Sequence, residues 1–336
     1  MNISNAARLT TLVLASALVL AGCSSAPSAS QSNGPAAGGE SGAWTYTDDT
    51  GKTVTLDQRP ERIASYADYA LGLMSTGIDP VAIFGRVDVA TDKRFADYDL
   101  SDTAIVGNSY GEIDLETLAE TAPELIVVGI YPTDREGTLD LEGALYSLAD
   151  VEQQEQLEKI APIVAIEVGG AGSDVIASMT KLEEALGADE ATIAAGKAEY
   201  DAAAADLSAA AEESGLEVTQ MYADADGIYV VKPEDEPETQ LYGELGVDFT
   251  DANPDGDYYW DIYSWENAAQ MMTGDVLLVN VEGFQEDDLL KQPTFASHPA
   301  LVAGQIHAWN QAALDYASQA AHMTELATIL RESKKL

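Results

Sequence analysis

The chain holds 15 tyrosines but only 5 phenylalanines. Many of the tyrosines stand just beyond short apolar runs, in company with a few charged residues. Tyr66 and Tyr69 follow Ile63-Ala64-Ser65, Arg86 follows Val81–Gly85, and Tyr131 follows Glu124–Gly129. Tyr110 precedes Glu112-Ile113-Asp114-Leu115-Glu116. Further along, Tyr222 and Asp224 end Glu217–Tyr222, and Lys232 follows Ile228–Val231. Tyr258, Tyr259 and Trp260 precede Ser264-Trp265-Glu266-Asn267, while Glu282 and Phe284 follow Val276–Asn280. A tyrosine offers an apolar face and a polar tip, which suits a bulky amphipathic ligand. An arginine donates several hydrogen bonds to ligand oxygens without losing its charge. Each of these positions also suits packing, and Arg86 also suits a salt bridge to one of many carboxylates.

The residue types needed for turnover are not arranged for it. The sequence contains no G-x-S-x-G, no P-loop and no G-x-G-x-x-G after a strand pattern. Its three histidines, His298, His307 and His322, lack zinc-site spacing. Carboxylate pairs are too numerous to single out a glycosidase site, with 58 acidic against 16 basic residues and a net charge of -42. That charge excludes nucleic acid as a partner and favours neutral or cationic ligands. The chain thus reads as a binding protein and not an enzyme, with no metal site of its own and no cofactor.

The elements that must position these residues are apolar strands alternating with helices, the pattern of a mainly parallel sheet covered on both faces. Trp44–Arg59 is a hairpin turning at Asp49-Thr50-Gly51. Strands are expected around Ile63–Tyr66, Val81–Gly85, Ala104–Val106, Glu124–Gly129 and Ile163–Ile166. After an Ala-rich, proline-free stretch they resume at Glu217–Tyr222, Ile228–Val231, Val276–Asn280 and Gln305–Trp309. Helices are expected at Ala67–Ser75, Leu115–Thr121, Glu238–Leu245, Ser264–Met272 and Leu314–Arg331. The Ala-rich stretch predicts one helix over Asp189–Glu213, capped by Asp189 and stopped at Ser214-Gly215. At about 1.5 Å per residue it makes a rod of roughly 37 Å. The fold class is α/β, with two Rossmann-like lobes joined by that single long helix. In open sheets of this kind, ligands bind beyond the carboxyl ends of the strands.

The chain begins with Arg8, an apolar run from Leu9 to Ala21, and Leu20-Ala21-Gly22-Cys23. The run is short for a membrane span, and its end resembles the lipobox of a bacterial lipoprotein. That resemblance implies cleavage before Cys23, the only cysteine, and lipidation of its sulfur. The expected organisation is a signal peptide over 1–22, a flexible tether over 23–43 and a first α/β lobe over 44–172. A helical linker over 173–214 contains the long helix at 189–213. A second lobe over 215–311 and a C-terminal helix over 312–336 complete the chain.

Further motifs recur in a telling order. They are the Thr-Asp-Asp-x-Gly hairpin, Arg59-Pro60-Glu61-Arg62-Ile63, Gly107–Leu115, Ala122-Pro123-Glu124-Leu125-Ile126, Ile160-Ala161-Pro162-Ile163-Val164, and Ser297-His298-Pro299-Ala300-Leu301. From Trp44 to the C-terminus this order resembles the substrate-binding lipoproteins of ABC importers for iron–siderophore complexes, haem and cobalamin. The resemblance implies two lobes with a ligand cleft between them, and a membrane-anchored, extracytoplasmic, monomeric protein feeding an ABC permease. It also implies that Tyr110 faces the cleft. Glu116 and Glu266 match the family's exposed glutamates, one on each lobe, that dock with permease arginines. Both also sit in a first helical turn, where a carboxylate gains about 0.3–1 kcal/mol from the helix dipole. A ferric siderophore is the expected ligand, with haem or cobalamin as the alternative.

Overall fold

A computed structural model describes residues 42–311 and 313–336. The expected signal peptide, Cys23 and all but the end of the tether lie outside the described residues. The described chain opens with β1 (Trp44–Thr47) and β2 (Thr53–Leu56), an antiparallel hairpin whose alternate side chains are buried. Its turn is organised by Asp48, whose carboxylate accepts from the N–H groups of Thr50 and Lys52, both at 3.0 Å. The second oxygen of Asp48 accepts from the Ala165 N–H at 3.0 Å and so fastens the hairpin to the next layer.

Then come β3 (Ile63–Tyr66), α1 (Ala67–Ser75), β4 (Ala82–Phe84), β5 (Ala104–Gly107), α2 (Leu115–Glu120) and β6 (Leu125–Ile130). α3 (Val151–Leu157), β7 (Ile163–Glu167), α4 (Gly172–Leu186) and α5 (Glu190–Ser214) follow. The first sheet has the order β5-β4-β3-β6-β7, and all its pairs are parallel. β3, β4 and β6 are buried along their whole length, as a sheet covered on both faces requires.

The second half contains β8 (Glu217–Ala223), β9 (Gly227–Val231), α6 (Pro237–Glu244), β10 (Asp248–Phe249) and β11 (Trp260–Ser264). β12 (Val276–Asn280), α7 (Glu286–Leu289), α8 (Pro299–Ala303), β13 (Ile306–Trp309) and α9 (Tyr316–Glu332) complete it. Its sheet has the order β11-β9-β8-β12-β13, with β10 beside β8. Here the sheet is mixed: β8, β10, β12 and β13 are parallel, whereas β9 and β11 run against their neighbours. An edge strand here lies outside the expected set, and one expectation is corrected. Trp260 opens the edge strand β11, in which Trp260–Ser264 pairs residue for residue with Val231–Gly227. The helix expected at Ser264–Met272 is a 3-10 helix over Trp265–Met271, entered without a side-chain cap at Ser264.

The long helix α5 lies one residue later at each end than the Ala-rich pattern predicts. Gly215 closes it at φ 56, a left-handed conformation that glycine adopts without a Cβ penalty. Only Ala203, Leu207, Ala210 and Ala211 of α5 are buried, and all four join the core of the second half. α9 runs beside it in the same direction. Tyr316 meets Tyr200 at 5.4 Å, and Arg331 pairs with Asp206 at 2.7 Å. α4 also bridges the halves: Val175, Met179, Leu182 and Leu186 pack in the first core, but Ile176 packs in the second. Helix α5 is therefore one member of a three-helix seam.

Candidate functional site

The carboxyl ends of the first sheet's strands deliver a cluster of phenols. Tyr66, the last residue of β3, is 1% exposed and Tyr69, a turn later in α1, is 7% exposed. Their rings lie 6.0 Å apart. Tyr146 joins them and acts as a hub, with its ring 5.7 Å from Tyr66, 4.5 Å from Tyr131 and 5.3 Å from Tyr110. Tyr110 is 48% exposed and forms the rim. The Tyr146 N–H donates to the Gly129 carbonyl at 2.8 Å, which ties this segment to the end of β6. Gly129 must be glycine there, since a Cβ would stand 1.9 Å from the Tyr69 hydroxyl. Ser147, next to the hub, has φ 80, which costs an L-residue about 1–2 kcal/mol.

Burial pushes the Tyr66, Tyr69 and Tyr131 phenols well above their ordinary range. It pushes Tyr146 up to about 12, although Arg86 pulls the other way. All four are therefore neutral at physiological pH and act as hydrogen-bond donors as well as acceptors. The Tyr66 hydroxyl is buried without a hydrogen-bond partner.

Arg86 follows β4 and reaches across to the second half. One guanidinium nitrogen donates to Glu282 at 2.6 Å and the other terminal nitrogen donates to Asn310 at 2.7 Å. The side chain is 6% exposed. Burial works against its charge, but Asp68 and the surrounding phenols and carboxylates hold it protonated. Its Nε is buried with no partner. Arg94 supports this arrangement through Asp68 at 2.6 Å, Asp92 at 2.7 Å and the Gln311 carbonyl at 3.0 Å.

The second half carries an aromatic set of its own. Tyr222 of β8 and Tyr229 of β9 are paired residues, and their rings lie 5.5 Å apart. Trp260 stands edge-on to Tyr229 at 6.3 Å, and Tyr259 lies 5.0 Å from Trp260. Tyr259 has φ 69, so another of the three non-glycine residues with left-handed backbone among the described residues borders this region. It is held by its N–H donating to Asp235 at 3.0 Å and by its carbonyl accepting from Lys232 at 3.0 Å. Strain of this kind persists only where the surroundings over-determine it, and it clusters at ligand sites.

A second arginine spans the halves. Arg135, in the segment after β6, grips Asp235 with Nε at 2.8 Å and Nη2 at 2.7 Å, and it donates to the Gly256 carbonyl at 2.9 Å. Between the halves lie a cavity of about 40 Å³ and a more open one of about 340 Å³. The first is lined by Tyr69, Arg86, Tyr131 and Tyr146 from one side and by Glu236 and Gln311 from the other. The second is lined by Pro132, Arg135, Asp235 and Tyr258 among others. Glu236 is pushed up to about 7, chiefly by burial and then by its neighbour Glu238.

Of the residues that the sequence singles out, Tyr66, Tyr69, Arg86, Tyr110, Tyr131 and Glu282 are connected through one ring cluster and one guanidinium. Tyr222, Tyr259 and Trp260 belong to the aromatic set of the second half, of which Tyr259 lies near Tyr131, Tyr146 and Arg86. Lys232 joins neither: its ammonium is buried against Asp261 at 3.1 Å and bonds the Asn253 carbonyl. The cause is strand alternation, which carries the residue after Val231 to the face opposite Trp260. Glu116 and Glu266 are both exposed on the first turns of their helices. Sequence reasoning missed Tyr146, Arg135, Asn310 and Asp235. Arg135 stood four residues beyond Tyr131, after the same apolar run, and the rule that picked Arg86 would have found it. Tyr146 had no such signal.

Residues 63–313 match the family model described as periplasmic binding protein. No curated protein matches the chain. DesE, a ferric-siderophore receptor protein from Streptomyces coelicolor, is 29% identical over 87% of this chain and 99% of its own, with a TM-score of 0.75. The siderophore periplasmic binding protein from the fuscachelin gene cluster of Thermobifida fusca is 24% identical over 81% of this chain and 97% of its own, at a TM-score of 0.56. The petrobactin-binding protein YclQ from Bacillus subtilis is 16% identical over 86% and 98%, at a TM-score of 0.63. These last two likenesses speak to the fold alone.

Proposed function

The chain belongs to the periplasmic binding protein family, and from that premise we propose that it captures a ferric siderophore between its two halves and hands it to an ABC permease. What carries this reading is the cavity between the halves, lined by the phenols of Tyr69, Tyr131 and Tyr146 and by Arg86, in a chain that matches a ferric-siderophore receptor over 99% of that receptor's length. A siderophore wraps its iron in its own oxygens, so the protein need supply no metal ligands and no chemistry. It needs apolar faces for the chelate's skeleton and donors for its oxygens. Tyr66, Tyr69, Tyr131 and Tyr146 offer both as neutral phenols. Arg86 offers an unbonded Nε. Tyr110, Tyr222, Tyr259, Trp260 and Glu282 complete the rim, while Lys232 is left out.

A cavity of about 40 Å³ is far smaller than the roughly 300–1,000 Å³ of a typical ligand pocket. Entry to this smaller cavity would part the halves at Arg86–Glu282, while the more open cavity of about 340 Å³ beside Arg135–Asp235 already falls in that range. Helices α5 and α9, packed side by side, limit that parting to a small hinge. Lipidation at Cys23 would hold this monomer at the outer face of the membrane. Among the described residues no helix is long and apolar enough to cross one. Glu116 and Glu266 would dock on permease arginines. Reversing both charges then abolishes uptake and leaves ligand affinity intact, and loss of ligand binding in that variant overturns the docking role.

Tryptophan fluorescence, titrated with ferric siderophores, haem and cobalamin, tests the main reading. Saturable quenching by a ferric siderophore at one site is expected. Binding of haem or cobalamin in its place, or of none of the probes, overturns it.

A further inference from the structure

The walls are aromatic, but the charges between them are not balanced. The smaller cavity is bordered by Asp68, Glu236 and Asp315; Asp68 is paired with Arg94 at 2.6 Å, which leaves Glu236 and Asp315 with the single guanidinium of Arg86. The larger one is bordered by Asp134, Glu136, Glu167, Glu234 and Asp235 against the single guanidinium of Arg135. Each guanidinium is already paired across the halves, Arg86 with Glu282 at 2.6 Å and Arg135 with Asp235 at 2.7 Å. Among the described residues lining the two cavities no other cation is present. Nor does Lys232 supply one, since Asp261 holds it on the other face of its strand.

Two atoms show that the smaller cavity is a built site and not merely an acidic surface. Arg86 Nε and Asp315 Oδ2 are both buried and both lack a hydrogen-bond partner. Their side chains border the same cavity. A donor and an acceptor left open on side chains that line one cavity, in a low-dielectric setting, fit a ligand that brings both kinds of group. They do not fit a ligand that brings negative charge alone.

We propose that the space between the halves is a charge filter, admitting ferric chelates of neutral or positive net charge and rejecting anionic ones, with Glu282 setting the filter by occupying Arg86. This rests on the ferric-siderophore reading and narrows it to a charge class. Ferric tris-hydroxamates are neutral or carry a cationic terminal amine, whereas ferric tris-catecholates are triply anionic. An incoming anion would need a free cation, and the one best placed, Arg86, would have to be drawn away from Glu282 while that carboxylate stays beside it. It would also meet the surplus of carboxylates around the larger cavity, where exclusion of water strengthens the repulsion. A cationic terminal amine meets the opposite field.

The test keeps the iron-binding core constant and changes only charge. The full chain is titrated with one linear ferric tris-hydroxamate in three forms, with its terminal amine free, acetylated or succinylated. These are cationic, neutral and anionic. A ferric tris-catecholate is the fourth probe. Affinity is expected to fall in the order cationic, neutral, anionic by about tenfold per step at low salt, and the spread to narrow as salt rises. The tris-catecholate is expected to bind weakest. Glu282→Gln should raise affinity for the succinylated form about tenfold relative to the amine form, with the acetylated form reporting that the variant is folded. Should Glu282→Gln fail to fold, the exposed Glu234→Gln, which leaves both arginine pairs in place, is expected to move the ratio in the same direction. Equal affinity for the three hydroxamate forms, or tightest binding of an anionic probe, overturns the filter and leaves the siderophore reading standing. Binding of none of the four overturns both.

Discussion

The two walls of the cleft are built by different means. Tyr66, Tyr69 and Tyr131 hang from the ends of adjoining parallel strands, where each strand is held on both sides. Tyr229 and Trp260 stand on an antiparallel edge of a mixed sheet, with β11 paired only to β9. Tyr66 and Tyr69 are buried and the half-buried Tyr131 and Tyr146 pack on the same core, while the half-buried Tyr222, Tyr229, Tyr259 and Trp260 belong to no core cluster. The first wall thus belongs to its own core, and the second is a surface laid against it. Stability and binding should be coupled in the first and separable in the second.

The sharpest way to break that contrast is at Arg86, which belongs to both walls. Arg86→Ala leaves Glu282 and Asn310 without their partner and removes the guanidinium from the phenol cluster. We expect a loss of about 3 kcal/mol in urea unfolding, the cost of breaking a buried pair, together with at least tenfold weaker binding. An unchanged unfolding midpoint would mean that the tie across the cleft adds nothing to the fold.

Next in size is a matched pair of truncations. Tyr146→Ala removes the ring that three other tyrosines touch, and it should cost about 2 kcal/mol of stability, somewhat less than a fully buried aromatic. Trp260→Ala, on the edge strand, should cost less than about 1 kcal/mol. Equal costs measured by urea unfolding would erase the distinction between the walls.

A smaller effect comes from behind the first wall. Glu183 of α4 is buried, and desolvation, aided by the neighbouring Asp315, pushes its carboxyl up to about 9. A carboxyl with a raised folded pKa binds more protons folded than unfolded. Stability should therefore fall as pH rises from about 4.5 towards 9, by at most about 1.4 kcal/mol per pH unit for one group. Glu183→Gln should flatten that slope. A wild-type slope identical to the variant's between pH 6 and about 8 would show that the side chain is ionised in the fold.

How much of this was legible in the sequence follows the same divide. The first wall is placed by the carboxyl ends of parallel strands, so the position of Tyr66, Tyr69, Arg86 and Tyr131 at one end of the sheet could be read from apolar runs alone. Tyr146 could not, because it belongs to an irregular segment fixed by a single backbone bond to Gly129. On the second wall, Tyr259 and Trp260 were recognised as residues but not as parts of an edge strand, because Trp260–Ser264 is short and follows a run of Asp, Asn, Pro and Gly. Lys232 misled because one step along a strand changes the face. The pairing of Arg86 with Glu282 spans 196 residues, a distance over which local pattern says nothing.

Most direct for the proposed site is the affinity of one ferric siderophore for four proteins: the wild type, Tyr146→Ala, Trp260→Ala and the double variant. Binding between two walls requires one site per chain, about tenfold weakening by each single change, and a further loss when both are made. If Trp260→Ala binds as tightly as the wild type, the second wall does not touch the ligand and the cleft is not the site.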